Sequence, residues 1–188
     1  MRVFFAIEFE EELKDYLFSI QKDIKKHCIA GNFTLKENFH LTLRFIGEQS
    51  PSQIEQLIAV LKETAVNMSA FEFRLNRLDK FDKGNRKIIW VGLQKSRELE
   101  AFYRQMETAL VKHGYNKEER NFNPHITIAR EVKIDGYEQL ASKIVVDNLY
   151  IKVKSISLME STRIDNKLRY VPIVREEFTT DKSGSHNI

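Results

Sequence analysis

His40-Leu41-Thr42-Leu43 and His125-Ile126-Thr127-Ile128 repeat one pattern: histidine, apolar residue, threonine, apolar residue. Each tetrad reads as a strand. Residues i and i+2 of a strand share a face, so histidine and threonine project together while the apolar pair enters a core. The two histidines stand 85 residues apart, and the same offset relates an apolar strand beginning at Val3 to one beginning at Ile88. Each half runs strand, helix, turn, then a strand carrying histidine. The offset slips by one residue inside the helices, where Leu13 matches Leu99. Two half-domains related by a pseudo-twofold axis are expected.

The segments between follow from periodicity. Leu13, Leu17, Ile20 and Ile24 give one apolar stripe to a helix over 10–27, which Gly31 and Asn32 interrupt. Ser50-Pro51 is a helix-start signal for a second apolar face, Ile54, Leu57, Ile58, Leu61 and Ala65. Phe71–Leu75 alternates as a half-buried strand, and 79–87 reads as a charged loop around Gly84. A third helix over 98–113 ends at Gly114. A short helix is expected over 137–144 and strands over 150–153, 156–159 and 170–174. The expected domain is 1–178, with a flexible tail over 179–188.

The chain has 188 residues, 30 Lys+Arg, 27 Asp+Glu and one cysteine. That charge balance argues against disorder, and one cysteine excludes an internal disulfide framework and fits a cytoplasmic setting. No apolar run approaches a membrane span, and 1–14 lacks the long apolar region of a signal peptide. No P-loop, dinucleotide fingerprint, serine-nucleophile turn or zinc spacing appears, so no metal and no cofactor are expected.

Five histidines and eight threonines in this length give about 0.2 expected His-x-Thr matches, so one copy would mean little. Two copies at matching places in two halves point to a shared polar site. Paired imidazoles and hydroxyls suit in-line displacement at a phosphodiester. One neutral histidine takes a proton from water and one protonated histidine gives a proton to the leaving oxygen. The hydroxyls donate to oxygens where charge accumulates. The residues alone leave the two histidines equivalent. Arg44, an even offset from His40, is expected on the histidine face, whereas Arg130, an odd offset from His125, needs a bulge to turn inward. Asn38 and Asn123 each stand two residues before a motif histidine, as orienting or turn residues.

With its flanks, the sequence resembles the 2H phosphoesterases, and most closely their bacterial and archaeal RNA 2′,3′-cyclic phosphodiesterase, or 2′-5′ RNA ligase, branch. The matching stretches are MRVFFAIEF, ENFHLTLRFIGE, IIWVGL, NFNPHITIAR and ISLMEST with the later Arg169-Tyr170. The resemblance implies a bilobal α+β fold with two antiparallel sheets around a central cleft. It implies hydrolysis of RNA 2′,3′-cyclic phosphate ends to 2′-phosphomonoesters, with reversible 2′-5′ ligation as a companion activity. His40 would then be the proton donor and His125 the proton acceptor, with Thr42 and Thr127 on the phosphate. Arg130 matches a family arginine, and Arg44 and Tyr170 join it as substrate-binding candidates. Phe33 stands where the family often has tryptophan, and either stacks a base or packs in the core. The implied partner is RNA with a 2′,3′-cyclic phosphate end, with no membrane and no protein partner. The alternatives are a cyclic phosphodiesterase of a small nucleotide and a non-catalytic module that grips RNA ends.

Overall fold

The computed structural model describes residues 1–66 and 68–179, and its strands form two antiparallel sheets. The first has the order β3 (His40–Glu48), β1 (Arg2–Glu8), β8 (Ser155–Ile164), β9 (Lys167–Glu177). The second has the order β2 (Ala30–Phe33), β6 (His125–Lys133), β5 (Arg86–Leu93), β4 (Phe71–Lys83), β7 (Tyr150–Val153). The helices are α1 (Glu11–Lys25), α2 (Pro51–Val66), α3 (Arg97–Lys112) and the short α4 (Tyr137–Ala141). Of the tail expected over 179–188, all but Thr179 lies outside the described residues. No helix of the described residues is long and apolar enough to cross a membrane.

The 85-residue repeat survives, but the halves interleave. Strand β1 corresponds to β5 and β3 to β6, and the offset carries Phe71 of β4 onto Ile156 of β8. Yet β4 pairs with β5 and β8 pairs with β1. The first half gives β2 and β4 to the sheet of β5 and β6, and the second gives β8 and β9 to the sheet of β1 and β3, so neither sheet belongs to one contiguous stretch of chain.

Local chemistry explains the elements. Leu13, Leu17, Ile20 and Ile24 of α1 are all buried, and acids open the helix while bases close it. At the start of α2 the Gln53 side chain accepts from the Ser50 N–H at 2.8 Å, and the Ser50 hydroxyl accepts from the Gln53 N–H at 3.4 Å. This reciprocal pair satisfies donors that the first helical turn leaves open. Ser96 caps α3 by accepting from the Leu99 N–H at 3.2 Å.

Two expectations need correction. The charged segment 79–87 is no loop: β4 continues to Lys83, Gly84 turns at φ 59°, and β5 starts at Arg86. Asp82 faces Lys87 across the hairpin and bonds it at 2.6 Å, so its charges are partnered on a sheet surface. Residues 30–33 do more than end α1. They form β2, which pairs with β6 next to the second histidine motif.

Gln21 is a buried polar residue on the apolar side of α1. Its amide donates to the carbonyls of Thr34 at 2.7 Å and Ile128 at 2.9 Å. It ties the first helix to the second motif strand. Gln21→Leu should lower unfolding stability by about 1–3 kcal/mol, the cost of stranding a buried acceptor. Urea denaturation measures this, and an unchanged midpoint would show that the link carries no net stability.

Candidate active site

Each motif histidine is oriented in the same way. The carbonyl of Asn38 lies 2.7 Å from Nδ1 of His40, and the carbonyl of Asn123 lies 2.8 Å from Nδ1 of His125. A carbonyl only accepts, so each neutral imidazole carries its proton on Nδ1 and leaves Nε2 as the working atom. Nε2 of His40 then accepts from the Thr42 hydroxyl at 2.8 Å. The Asn38 side chain is itself buried and fixed at both ends. Its amide donates to the Leu168 carbonyl at 2.8 Å, and its oxygen accepts from the Tyr170 N–H at 3.1 Å.

His40, Thr42, His125 and Thr127 line one small cavity with Thr34, Arg130 and Tyr170. The apolar members, Leu41, Leu43, Ile126 and Ile128, are buried in the core. The alternation read from the tetrads therefore holds on both strands. Each imidazole is also boxed by two aromatic rings. Phe4 lies 5.0 Å from His40 and Tyr170 meets it edge-on at 4.9 Å. Trp90 lies 5.7 Å from His125 and Phe81 meets it edge-on at 5.1 Å.

The two arginines go opposite ways for a single reason. On β6, Trp90 pairs with Thr127 but Ile89 pairs with Ala129, so one residue is extra. That bulge inverts the alternation, and Arg130 joins the cavity with Nη2 3.4 Å from the Thr127 hydroxyl. On β3, Ala6 pairs with Thr42 but Phe5 pairs with Arg44, again with one extra residue. Arg44 therefore shares the face of the fully buried Phe5, not that of His40. The expectation that Arg44 lines the histidine face is corrected by this bulge. Its guanidinium instead pairs with Glu107 and Glu118.

Phe33 is also absent from the cavity lining. It packs against the core with Lys25 Nζ 5.3 Å above its ring, so its packing role is the one observed. Tyr170 reaches the cavity as expected, held by Asn38. Thr34, Phe4, Phe81 and Trp90 were not singled out from the sequence. Thr34 donates its hydroxyl to the Thr127 carbonyl at 3.0 Å, a contact across β2 and β6 with no local signature. The aromatic boxes had a faint one, since Phe4 and Trp90 sit in the two strands that the 85-residue offset matches.

Electrostatically the cavity favours anions. Burial is the main force pushing His40 down to about 4, and Arg130 and His125 add to it, while the Asn38 carbonyl opposes them. His125 is lowered too, by burial first and then by Arg130. Among the described residues Arg130 makes no ion pair, so its charge faces the cavity uncompensated. Two roomier cavities, one along α3 beside Phe122 and one between β1 and β7, contain no histidine. Among the described residues no three or more His, Cys, Asp or Glu side chains are grouped to hold a metal ion.

Residues 30–165 match the family model described as the 2′-5′ RNA ligase superfamily. The RNA 2′,3′-cyclic phosphodiesterase of Thermotoga maritima is 30% identical over 165 residues, covering 86% of this chain and 87% of that protein. The protein of the same name from Methanocaldococcus jannaschii is 28% identical, covering 88% and 94%. The crystal structure of a Thermus thermophilus protein superposes with a TM-score of 0.80 at 19% identity, over 95% of this chain and 98% of that one, and shows the fold.

Removing the guanidinium should raise both imidazoles. Arg130→Met is expected to move the His40 and His125 titrations upward toward 6.5, as followed by NMR of the ring protons. The same shifts bear on stability. A histidine depressed in the folded state contributes stability that is present above 6.5 and lost as pH falls through its folded value. Unfolding stability should therefore decline from pH 6.5 toward about 4, and less steeply in Arg130→Met. Unmoved titrations in the variant would remove Arg130 from the site's electrostatics.

Proposed function

This chain belongs to the 2′-5′ RNA ligase superfamily, and from that premise we propose that it is an RNA 2′,3′-cyclic phosphodiesterase producing 2′-phosphomonoester ends. The observation that carries this reading is the shared cavity. Two imidazoles, each with Nδ1 tied back, face one space with two threonine hydroxyls and the Arg130 guanidinium. That set matches a cyclic phosphate, whose phosphorus carries two non-bridging oxygens and one bond to be broken.

In the proposed reaction, water attacks phosphorus and its proton passes to Nε2 of His125. The bond from phosphorus to the 3′ oxygen breaks, and Nε2 of protonated His40 gives its proton to that oxygen. The product keeps phosphate on the 2′ oxygen and regains a 3′ hydroxyl. Thr42, Thr127 and Arg130 stabilise the charge gathering on the non-bridging oxygens. His125 suits the water-facing role because its hydrogen bond to Asn123 lies in an exposed setting, whereas that of His40 is partly buried. His40 suits the acid role once substrate binds, since the incoming anion offsets Arg130 and favours the imidazolium. Thr42 must then turn its hydroxyl from Nε2 to phosphate. Tyr170 and the backbone it shares with Asn38 form the wall beside the leaving group. RNA is the partner in this reading, and ligation to a 2′-5′ linkage is the same displacement in the same direction, with a 5′ hydroxyl replacing water as the nucleophile and the bond to the 3′ oxygen again the one that breaks. A cytoplasmic location belongs to the same proposal, resting on the single cysteine.

His40→Ala and His125→Ala should each reduce hydrolysis by about 10²- to 10⁴-fold, the usual worth of a positioned acid or base. The assay compares a 2′,3′-cyclic mononucleotide with a cyclic-phosphate RNA oligomer, in chelator, and identifies the product phosphate. Turnover of the mononucleotide alone would favour the small-nucleotide reading, and binding without turnover would favour an end-binding module. Because both histidines titrate low in the free protein, kcat/KM should follow a bell with its maximum on the acid side of 6.5. The kcat profile should lie at higher pH, because bound substrate anion raises His40. The two apparent pKa values belong to the coupled pair. A rate climbing steadily into alkali would leave only a base in the mechanism.

A further inference from the structure

Arg44 lies under the cleft, on the strand of the first histidine, yet its contacts lead to the second. Its Nη2 donates to the Asn116 carbonyl at 2.9 Å, its Nη1 pairs with Glu118, and its Nε faces Glu107 Oε1 at 3.4 Å. Glu107, on α3, accepts in turn from the backbone N–H of Glu118 at 3.1 Å. Asn116 and Glu118 belong to the connection from α3 to β6, and that connection includes Asn123, whose carbonyl holds Nδ1 of His125. Farther along the same segment Phe122 lies flat on Tyr103 of α3, with centroids 4.0 Å apart and planes 4° apart.

The network is nearly closed to solvent. The Arg44 and Glu107 side chains are 12% and 11% exposed. A guanidinium removed from water must keep its partners, because losing one leaves an uncompensated charge. Every one of those partners is either on α3 or in the connection to β6. The connection is therefore tied to β3 as well as to α3, through a side chain that the bulge turned inward.

We propose that Arg44 is a positioning residue that sets the orientation and tautomer of His125 through the 116–124 connection, across the pseudo-twofold. The inference rests on the reading of His125 as the base. It gives the second histidine a support that the first lacks, because His40 is fixed by Asn38 and β9. Lysine could not replace Arg44 fully, since one ammonium cannot span the Asn116 carbonyl and both carboxylates in the same fork.

Nitrogen NMR of the imidazoles in the full-length protein tests this directly. Both histidines of the wild type should show the Nδ1–H tautomer. In Arg44→Met, His125 should become a mixture of tautomers while His40, only four residues away on the same strand, keeps its own. Arg44→Lys should be intermediate, and kcat should fall about 10- to 100-fold in the Met variant with KM little changed, as small misplacements of a reacting group do. Glu118→Gln should shift His125 in the same direction by less, and decides the matter alone if Arg44→Met does not fold. An unaltered His125 tautomer in these variants, or His40 disturbed equally, would overturn the proposal. Absence of cyclic-phosphate turnover in the wild type would instead overturn the proposed function and leave the tautomer result standing.

Discussion

One extra residue in each motif strand governs the site. A regular strand sends every second side chain to the same face. The bulges between Thr42 and Arg44 and between Thr127 and Ala129 break that rule at matching places. Before each bulge, histidine and threonine face the cleft. After it, the parity inverts, so Arg130 enters the cleft and Arg44 leaves it. A cation at the cavity and a cation for the scaffold thus come from the same local distortion, used once in each half. The extra residues, Leu43 and Ile128, are deeply buried, so apolar packing holds the distortion in place.

The interleaving of the halves binds them to one another. Because β4 crosses to the second sheet and β8 to the first, separating the two halves of the chain would break strand pairing as well as core contacts. The buried apolar residues of both sheets form one continuous cluster with α1, α2 and α3. Gln21 and Arg44 add polar ties across the same boundary, each reaching from the first half to the flank of the second motif. Acid–base chemistry between two groups needs their separation fixed to a fraction of an ångström. A fold that binds its two halves by exchanged strands meets that need without a disulfide.

Burial and the nearby Arg130 guanidinium push both histidines toward the neutral form. In the proposed reaction the anionic phosphate of the substrate reverses that balance. It would offset the guanidinium and stabilise one imidazolium, so in the proposed mechanism the substrate creates the acid that serves it. The aromatic boxes contribute to this by limiting water around each ring: Phe4 and Tyr170 on one side, Trp90 and Phe81 on the other.

Taken alone, the sequence determined the repeat, the strand identity of both tetrads, the buried partners Leu41, Leu43, Ile126 and Ile128, and the pairing of the two histidines with their threonines. These depend on period-two alternation and on residue chemistry, both of which are local. It also carried the amphipathic helices, whose stripes are local as well. Only the tertiary structure decided which sheet each strand joins, because pairing partners such as β4 and β5, or β1 and β8, are set by the whole core. It decided the fates of Arg44 and Arg130, since a bulge is visible only against a partner strand's register. It turned the charged 79–87 segment into a hairpin, because Asp82 and Lys87 neutralise one another only when paired across it. And it brought in Thr34, Phe81 and Trp90, whose place at the cavity comes from long-range pairing that no short stretch of sequence records.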